Sequence, residues 1–377
     1  VYKRQGLTHA GFQDQCIRPL CHVSLSCDSL SLLNPPSEFT FPHPVLHPST
    51  VYFSLSWASM KAIVQTNPED PGALELGVVE KPLLHPGEVL VKVHAAGVNR
   101  ADLLQARGHY PPPPGASETI GLEVAGEIVD ANGTEWTEGT QIGALLAGGG
   151  YAEYVAVPVG QLLPIPKGFS LTDTASVIEV ACTVWSNLAM EAGLREGQTI
   201  LIHGGAGGIG LFAIQVAKAL GATVAVTAGS QEKLDTCKSY GADVLINYKE
   251  QDFAEELKNQ CDVILDIIGA KYLKQNLKAL ATDGHLVTIG LQGGTKEELN
   301  MGILLAKRLT LQGTTLRSRS LEDKAAIVAD TVKHVWPWLE DGTVKHHLHG
   351  TFALADAAAA HRALNSGEVT GKLVLEG

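Results

Sequence analysis

The chain has 377 residues, 45% of them hydrophobic, and a formal net charge of −12. That length holds two domains with real cores, and the acidic balance argues against a nucleic-acid surface. No apolar run reaches the roughly 18 residues of a membrane span, so neither nucleic acid nor membrane is expected as a partner.

Residues 1–59 read as foreign to the fold. Pro, Ser and His occur there without helical or strand period, and position 1 is not Met. No basic start leads into a continuous apolar core, as a secretory signal would require; an organellar transit peptide is the weaker alternative. Cys16, Cys21 and Cys27, with His9, His22, His43 and His47, fit no zinc spacing. The expectation is an upstream or non-native leader without stable structure.

Met60 opens a clean strand at 61–64. From there to about residue 182 the chain is β-rich and turn-rich, with strands expected at 88–94, 123–129, 141–146 and 152–157. Pro86-Gly87, Asn132-Gly133 and Gly148-Gly-Gly150 punctuate them. Pro111 to Pro114 form an extended loop that cannot be helical. Between 183 and 319 strands and helices alternate, which means a parallel sheet covered on both faces. Those strands start at Thr199, Thr223, Asp243, Cys261 and His285, with a sixth at 309–314. Residues 320–377 supply helix 321–340, a short strand near Phe352, helix 355–364 and a last strand at 372–375, a tail expected to return to the first domain. Trp336 and Trp338 read as core. His346, His347 and His349 lack a nearby Cys or carboxylate and read as an exposed turn rather than a metal tract. Cys182, Cys237 and Cys261 have no paired spacing, which suits buried thiols in a reducing compartment, the cytoplasm.

The stretch from Thr199 to Gly221 carries the most chemistry. A buried strand runs into His203-Gly-Gly-Ala-Gly-Gly-Ile-Gly210 and then into an apolar helix. Gly205, Gly207 and Gly210 match G-x-G-x-x-G: a tight turn, close backbone approach to a pyrophosphate, and close helix–strand packing. The helix start adds N–H groups and a positive dipole end. Gly205, Ala206, Gly207, Gly208 and Ile209 are therefore expected at a dinucleotide. The next strand ends in Ala228-Gly229-Ser230, with Lys233 following. An NAD site usually has an acid there; a hydroxyl and a cation suit a 2′-phosphate, so NADPH is expected. Ser230 also serves as a helix N-cap. Ile268-Gly269 and Gly290-Leu291 end the fourth and fifth strands, at the edge where open parallel sheets bind ligands.

Taken together the residues resemble the zinc-independent quinone oxidoreductase branch of the medium-chain dehydrogenase/reductase superfamily, in particular its p53-inducible NADPH quinone oxidoreductase type. The resemblance spans 60–377 and rests on Ala96-Gly-Val-Asn-Arg-Ala-Asp102, Gly108-His-Tyr-Pro-Pro-Pro-Pro-Gly115, Gly121-Leu-Glu-Val-Ala-Gly126, Thr227-Ala-Gly-Ser-Gln-Glu-Lys233, Ile246-Asn-Tyr248, Asp266-Ile-Ile-Gly269, Leu316-Arg-Ser-Arg319 and Gly371-Lys372. It implies an α/β protein: a GroES-like β-rich catalytic domain, a Rossmann doubly wound domain and a cleft between them. Zinc dehydrogenases of this superfamily carry Cys where this chain has Asn99, and Gly-His-Glu where it has Gly121-Leu122-Glu123; the four-cysteine structural lobe is missing too. Asn and Leu supply neither thiolate nor imidazole, so no metal is expected.

The resemblance implies roles by position. Asn99 bonds the ribose or carboxamide of the cofactor and borders the catalytic site. Tyr110 stacks on a flat substrate or donates to its carbonyl, unless it only covers the proline run. Asp102 orients neighbouring backbone. Thr183, Tyr248 and Lys372 match cofactor-contacting positions. Some relatives have Ser where this chain has Gly207. The implied activity is metal-free hydride transfer from NADPH to a quinone, by proximity and orientation. The rivals are a 2-alkenal, enone or enoyl-thioester reductase, and a NADPH-binding structural or regulatory protein. The 309–314 strand resembles an edge strand that pairs across a two-fold, which implies a homodimer.

Overall fold

The computed structural model describes residues 59–67 and 69–377. The leader expected over 1–59 lies outside the described residues, except Ser59, which opens the first strand. The first lobe contains β1 (Ser59–Gln65), β2 (Leu74–Glu80), β3 (Glu88–Val98), α1 (Arg100–Ala106), β4 (Glu123–Asp130), β5 (Gln141–Leu145), β6 (Tyr154–Pro158) and β7 (Leu162–Pro164). Helices α2 (Leu171–Ala175) and α3 (Ile178–Trp185) lead to the second lobe. There β8 (Thr199–His203), α4 (Gly208–Ala219), β9 (Thr223–Ala228), α5 (Gln231–Ser239), β10 (Val244–Asn247), α6 (Phe253–Glu256), β11 (Cys261–Asp266), α7 (Leu273–Ala279), β12 (Leu280–Thr288), α8 (Met301–Lys307) and β13 (Thr310–Gly313) alternate. The tail holds α9 (Leu321–Glu340), β14 (Leu348–Ala353), α10 (Ala357–Ser366) and β15 (Lys372–Glu376).

The second lobe is a six-stranded parallel sheet in the order β10-β9-β8-β11-β12-β13. That is the doubly wound dinucleotide-binding order, whose switch point lies beside the first strand, here β8. Its strands read as near-continuous apolar runs because helices cover both faces: Ile200, Leu201 and Ile202 are all buried. Strand β12 begins at Leu280, earlier than the expected His285. Its early part passes through Asp283 at φ 62° and slips register between Cys261/Leu280 and Val263/His285, which hides the continuity from a sequence pattern.

The first lobe centres on β3, which pairs with β4, β6 and β15. Alternation sets its register: Val89 and Val91 point into the core while Lys92 is exposed. Strands β1 and β2 form a separate antiparallel hairpin; β2 is absent from the sequence expectation because only Leu74 of its run is buried. The tail divides between the cores. Helix α9 places Ile327, Val328, Val335 and Trp336 in the second lobe's core, while β14 and β15 join the first sheet. Trp338 packs edge-on against Trp185.

Candidate active site

Two lobes meet over the turn that follows β8. Gly207 is the N-cap of α4 and supplies no side chain, so the first N–H groups of this 12-residue helix remain for a ligand. A Cβ at Gly210 would overlap the Gly204 and Gly205 carbonyls, which is why helix and strand need glycine there. Gly371, just before β15, donates its N–H to Ala206 O at 3.2 Å and so binds the tail to the turn. The Lys372 stem runs over Gly208, whose Cβ would lie 2.8 Å from Lys372 Cδ. An uncapped helix start on a glycine-rich turn fits a pyrophosphate.

At the end of β9, Gly229 leaves room for Tyr248, whose hydroxyl would be 2.6 Å from a Cβ there. Ser230 caps α5, its Oγ accepting from Lys233 N at 3.4 Å. Lys233 Nζ donates to the Gly367 carbonyl, so the expected cation is tied to the tail rather than free. Beyond β11, both Asp266 carboxylate oxygens accept from Gly269 N–H at 3.2 and 3.1 Å, and Oδ1 accepts from Ile268 N–H at 2.7 Å. Burial pushes that carboxyl up to about 6 against those bonds. Gly269 faces Leu291 and Gly290 faces Ile267, so the ends of β11 and β12 form one rim.

Opposite the turn lies a buried polar cluster. Lys372 Nζ donates to Asn99 Oδ1 at 2.5 Å and to Glu123 Oε1 at 2.7 Å. Asn99 Nδ2 also donates to Glu123 Oε1, at 2.8 Å. The other Glu123 oxygen accepts from Glu179 N–H at 2.8 Å, and Glu179 Oε1 accepts from Thr183 Oγ1 at 2.7 Å. Glu123 is fully buried, and a Cβ at Gly97 would overlap its carboxylate, so that glycine makes the pocket. Burial, opposed by Lys372, raises the Glu179 carboxyl above its usual range. A buried carboxylate with three donors, one of them an ammonium, is a satisfied ion pair, and removing either partner strands the other.

Tyr110 forms the outer wall. Its hydroxyl shares a 3.4 Å hydrogen bond with Thr315 Oγ1, and the Arg317 guanidinium lies 5.2 Å from its ring centre. Arg317 is itself buried and donates to Ala147 O at 2.7 Å, Tyr110 O at 3.0 Å and Gln105 Oε1 at 2.7 Å. The segment after β13 thus clamps the Tyr110 loop across the cleft.

Behind Asn99 a second polar chain begins. Asp102 Oδ2 accepts the Asn99 N–H at 2.7 Å and the Tyr151 hydroxyl at 3.1 Å; Tyr151 Oη lies 3.2 Å from His361 Nε2. Burial pushes Asp102 up to about 7 and holds His361 down at about 4, with Arg107 adding to the latter. Asp102 orients backbone, as its position implied.

The structure therefore gathers Asn99, Lys372 and the turn residues Gly205 to Ile209 at one end, and Gly229, Ser230 and Tyr248 at the other. Thr183 turns its hydroxyl onto its own helix. Glu123, Glu179 and Arg317 join this candidate site, and local reading missed them. Glu123 had one signal: it is an acid in a mostly apolar strand. The donor set does not fit a catalytic zinc, because Asn99 and Leu122 offer neither thiolate nor imidazole. Among the described residues no three His, Cys, Asp or Glu side chains gather in a metal-holding group. His346 and His347 are used elsewhere, on Asp173 at 2.9 Å and Tyr240 at 2.6 Å.

Comparison with known proteins follows the same lines. Residues 85–167 match the family described as alcohol dehydrogenase GroES-like domain, and residues 208–333 the one described as zinc-binding dehydrogenase. A quinone oxidoreductase of Pseudomonas aeruginosa is 34% identical over 77% of this chain and 91% of its own length. A mycocerosic acid synthase-like polyketide synthase of Mycobacterium tuberculosis is 28% identical over 85% of this chain, which spans 15% of that much longer protein. Among solved structures, a Pseudomonas syringae quinone oxidoreductase superposes with a TM-score of 0.75 at 28% identity, covering 84% of this chain and 100% of its own. A mycobacterial protein solved in complex with NADPH gives the same TM-score, identity and coverage.

Proposed function

The chain belongs to the medium-chain dehydrogenase/reductase family that includes the quinone oxidoreductases, and on that premise we propose that it reduces quinones with NADPH and without a metal. The single observation that carries the reading is the Lys372–Asn99–Glu123 cluster facing a glycine turn: a cofactor cradle beside a pocket that holds an ammonium instead of zinc ligands. Asn99 and the turn residues Gly205 to Ile209 would hold NADPH, whose nicotinamide would supply the hydride. Asn99 presents a carboxamide held by Lys372 and Glu123, so its orientation is fixed before a ligand arrives. The Lys372 ammonium is neutralised by Glu123 and acts by holding the Asn99 carboxamide in place. Tyr110, held by Arg317, offers a flat wall for a planar acceptor and excludes water. Its hydroxyl is engaged with Thr315, which favours solvent as the proton source.

Preference for NADPH rests on Ser230, Lys233 and Tyr248 around an acid-free strand end, and on the NADPH-bound structural relative. Similarity to polyketide synthases favours enones or enoyl thioesters as the second reading. Exposed Met301 and Leu305 on α8, the helix that precedes the edge strand β13 in the chain, support a homodimer. Free buried thiols at Cys182, Cys237 and Cys261 suit the cytoplasm. No described helix is long and apolar enough to cross a membrane. Initial rates of NADPH and NADH oxidation against quinone, enone and enoyl-thioester panels test the reading. Quinones with NADPH should give the highest kcat/KM; a uniform absence of turnover would leave only a binding protein.

A further inference from the structure

A cavity of about 110 Å³ lies where α1 and α10 meet the β1–β2 turn, several times the roughly 10–15 Å³ that admits one water. Its polar wall is Arg107, His361, Arg362 and Asn365, and its apolar wall includes Leu103 and Ala358. No carboxylate lines it. Arg100 and Arg107 both donate to a single acceptor, Asn365 Oδ1, at 3.3 and 3.0 Å. Among the described residues neither these two arginines nor Arg362 forms an ion pair. Like charges gathered on one carboxamide repel: burial first, then Arg107, holds the Arg100 guanidinium below its usual range. His361 is 5% exposed, and its Nδ1 is buried without a hydrogen-bond partner. When Asp102 carries a proton, Tyr151 can donate to His361 Nε2, which leaves Nδ1–H as a donor.

We propose that this cavity is a binding site for a small oxyanion of the phosphate or sulfate class, held by Arg107 and Arg362 with His361 and Asn365. Guanidinium forks match such oxygens bidentately, and no carboxylate among the lining residues competes for them. The site does not depend on the reductase reading. It lies one hydrogen-bonded chain, His361–Tyr151–Asp102, from the Asn99 backbone.

Calorimetric titration of sodium sulfate into the full chain, with chloride holding ionic strength constant, tests it. Binding should be saturable and should persist with saturating NADPH and in Lys233→Ala, which separates this cavity from the cofactor's own phosphate contacts. Arg107→Gln and the exposed Arg362→Gln should each weaken it roughly tenfold or more, the scale of one charge-assisted bond, with circular dichroism confirming the fold. Absence of saturable sulfate binding overturns the proposal. So does binding that both arginine variants retain, or that NADPH or Lys233→Ala abolishes.

Discussion

The two walls of the cleft are built from different materials. The turn after β8 is backbone: its close packing needs the absence of side chains at Gly208 and Gly210. The pocket around Asn99 is side chain: Lys372 meets Asn99 and Glu123 across 273 and 249 positions of sequence. A backbone site fails when an atom is added, whereas a side-chain site fails when a charge is removed. Each wall therefore has its own way to break.

Removing the charge should do the most damage. Lys372→Met leaves Glu123 buried and unpaired, and should cost about 3–5 kcal/mol of unfolding free energy in urea. Adding Glu123→Gln to it should restore most of that loss. A single variant within about 1 kcal/mol of wild type would mean that the pair is not a unit.

The chain behind Asn99 sharpens the contrast, because it has no counter-charge of its own. Asp102 has its pKa raised from 3.8 to about 7, so the fold favours its protonated form. That contribution is fully present below the unfolded value and fades as pH rises through 7. Wild type should therefore lose stability relative to Asp102→Asn between about pH 4 and pH 8, by at most about 4 kcal/mol at 1.36 kcal/mol per unit. Parallel stability–pH curves for the two proteins would show that Asp102 is solvated.

These side-chain sites were the least legible in the sequence. The glycine turn was readable because strand, turn and helix are contiguous, and β9's acid-free end lies in the next strand of the same unit. Asn99 and Lys372 were reached only through resemblance to a family. Glu179 and Arg317 carry no local pattern, Glu123 only that of an acid in a mostly apolar strand, and Tyr151 and His361 lie 49 and 210 residues from their partners. Lys372 did have a physical signature: it heads a buried apolar strand, where a cation needs a partner. Nothing local said which carboxylate that would be.

At the adenosine end the expected effects are smaller. Lys233→Ala should weaken NADPH by about 1.5–3 kcal/mol, the worth of a bond to a charged group, and leave NADH nearly unchanged; paired dissociation constants measure it. Equal losses for both cofactors would place Lys233 away from the 2′-phosphate and make the Gly367 bond its whole role. Smallest of all, Tyr110→Phe removes only a long 3.4 Å bond and should change kcat and quinone KM by less than about threefold, under 1 kcal/mol. Tyr110→Ala, which also removes the ring, should raise quinone KM while sparing NADPH affinity. A large fall in kcat for the Phe variant would make the hydroxyl a proton donor.

The claim that joins the two walls is that the backbone cradle and the ammonium pocket together pass a hydride from NADPH to a quinone with no metal between them. Single-turnover mixing tests it most directly: chelator-treated protein, checked for metal by elemental analysis, is loaded with NADPH and mixed anaerobically with 1,4-naphthoquinone. NADPH absorbance should be lost at a rate that rises with quinone and saturates, far above the protein-free rate, in wild type but not in Lys372→Met. A rate that matches protein-free solution, or that returns only when zinc is restored, would contradict it.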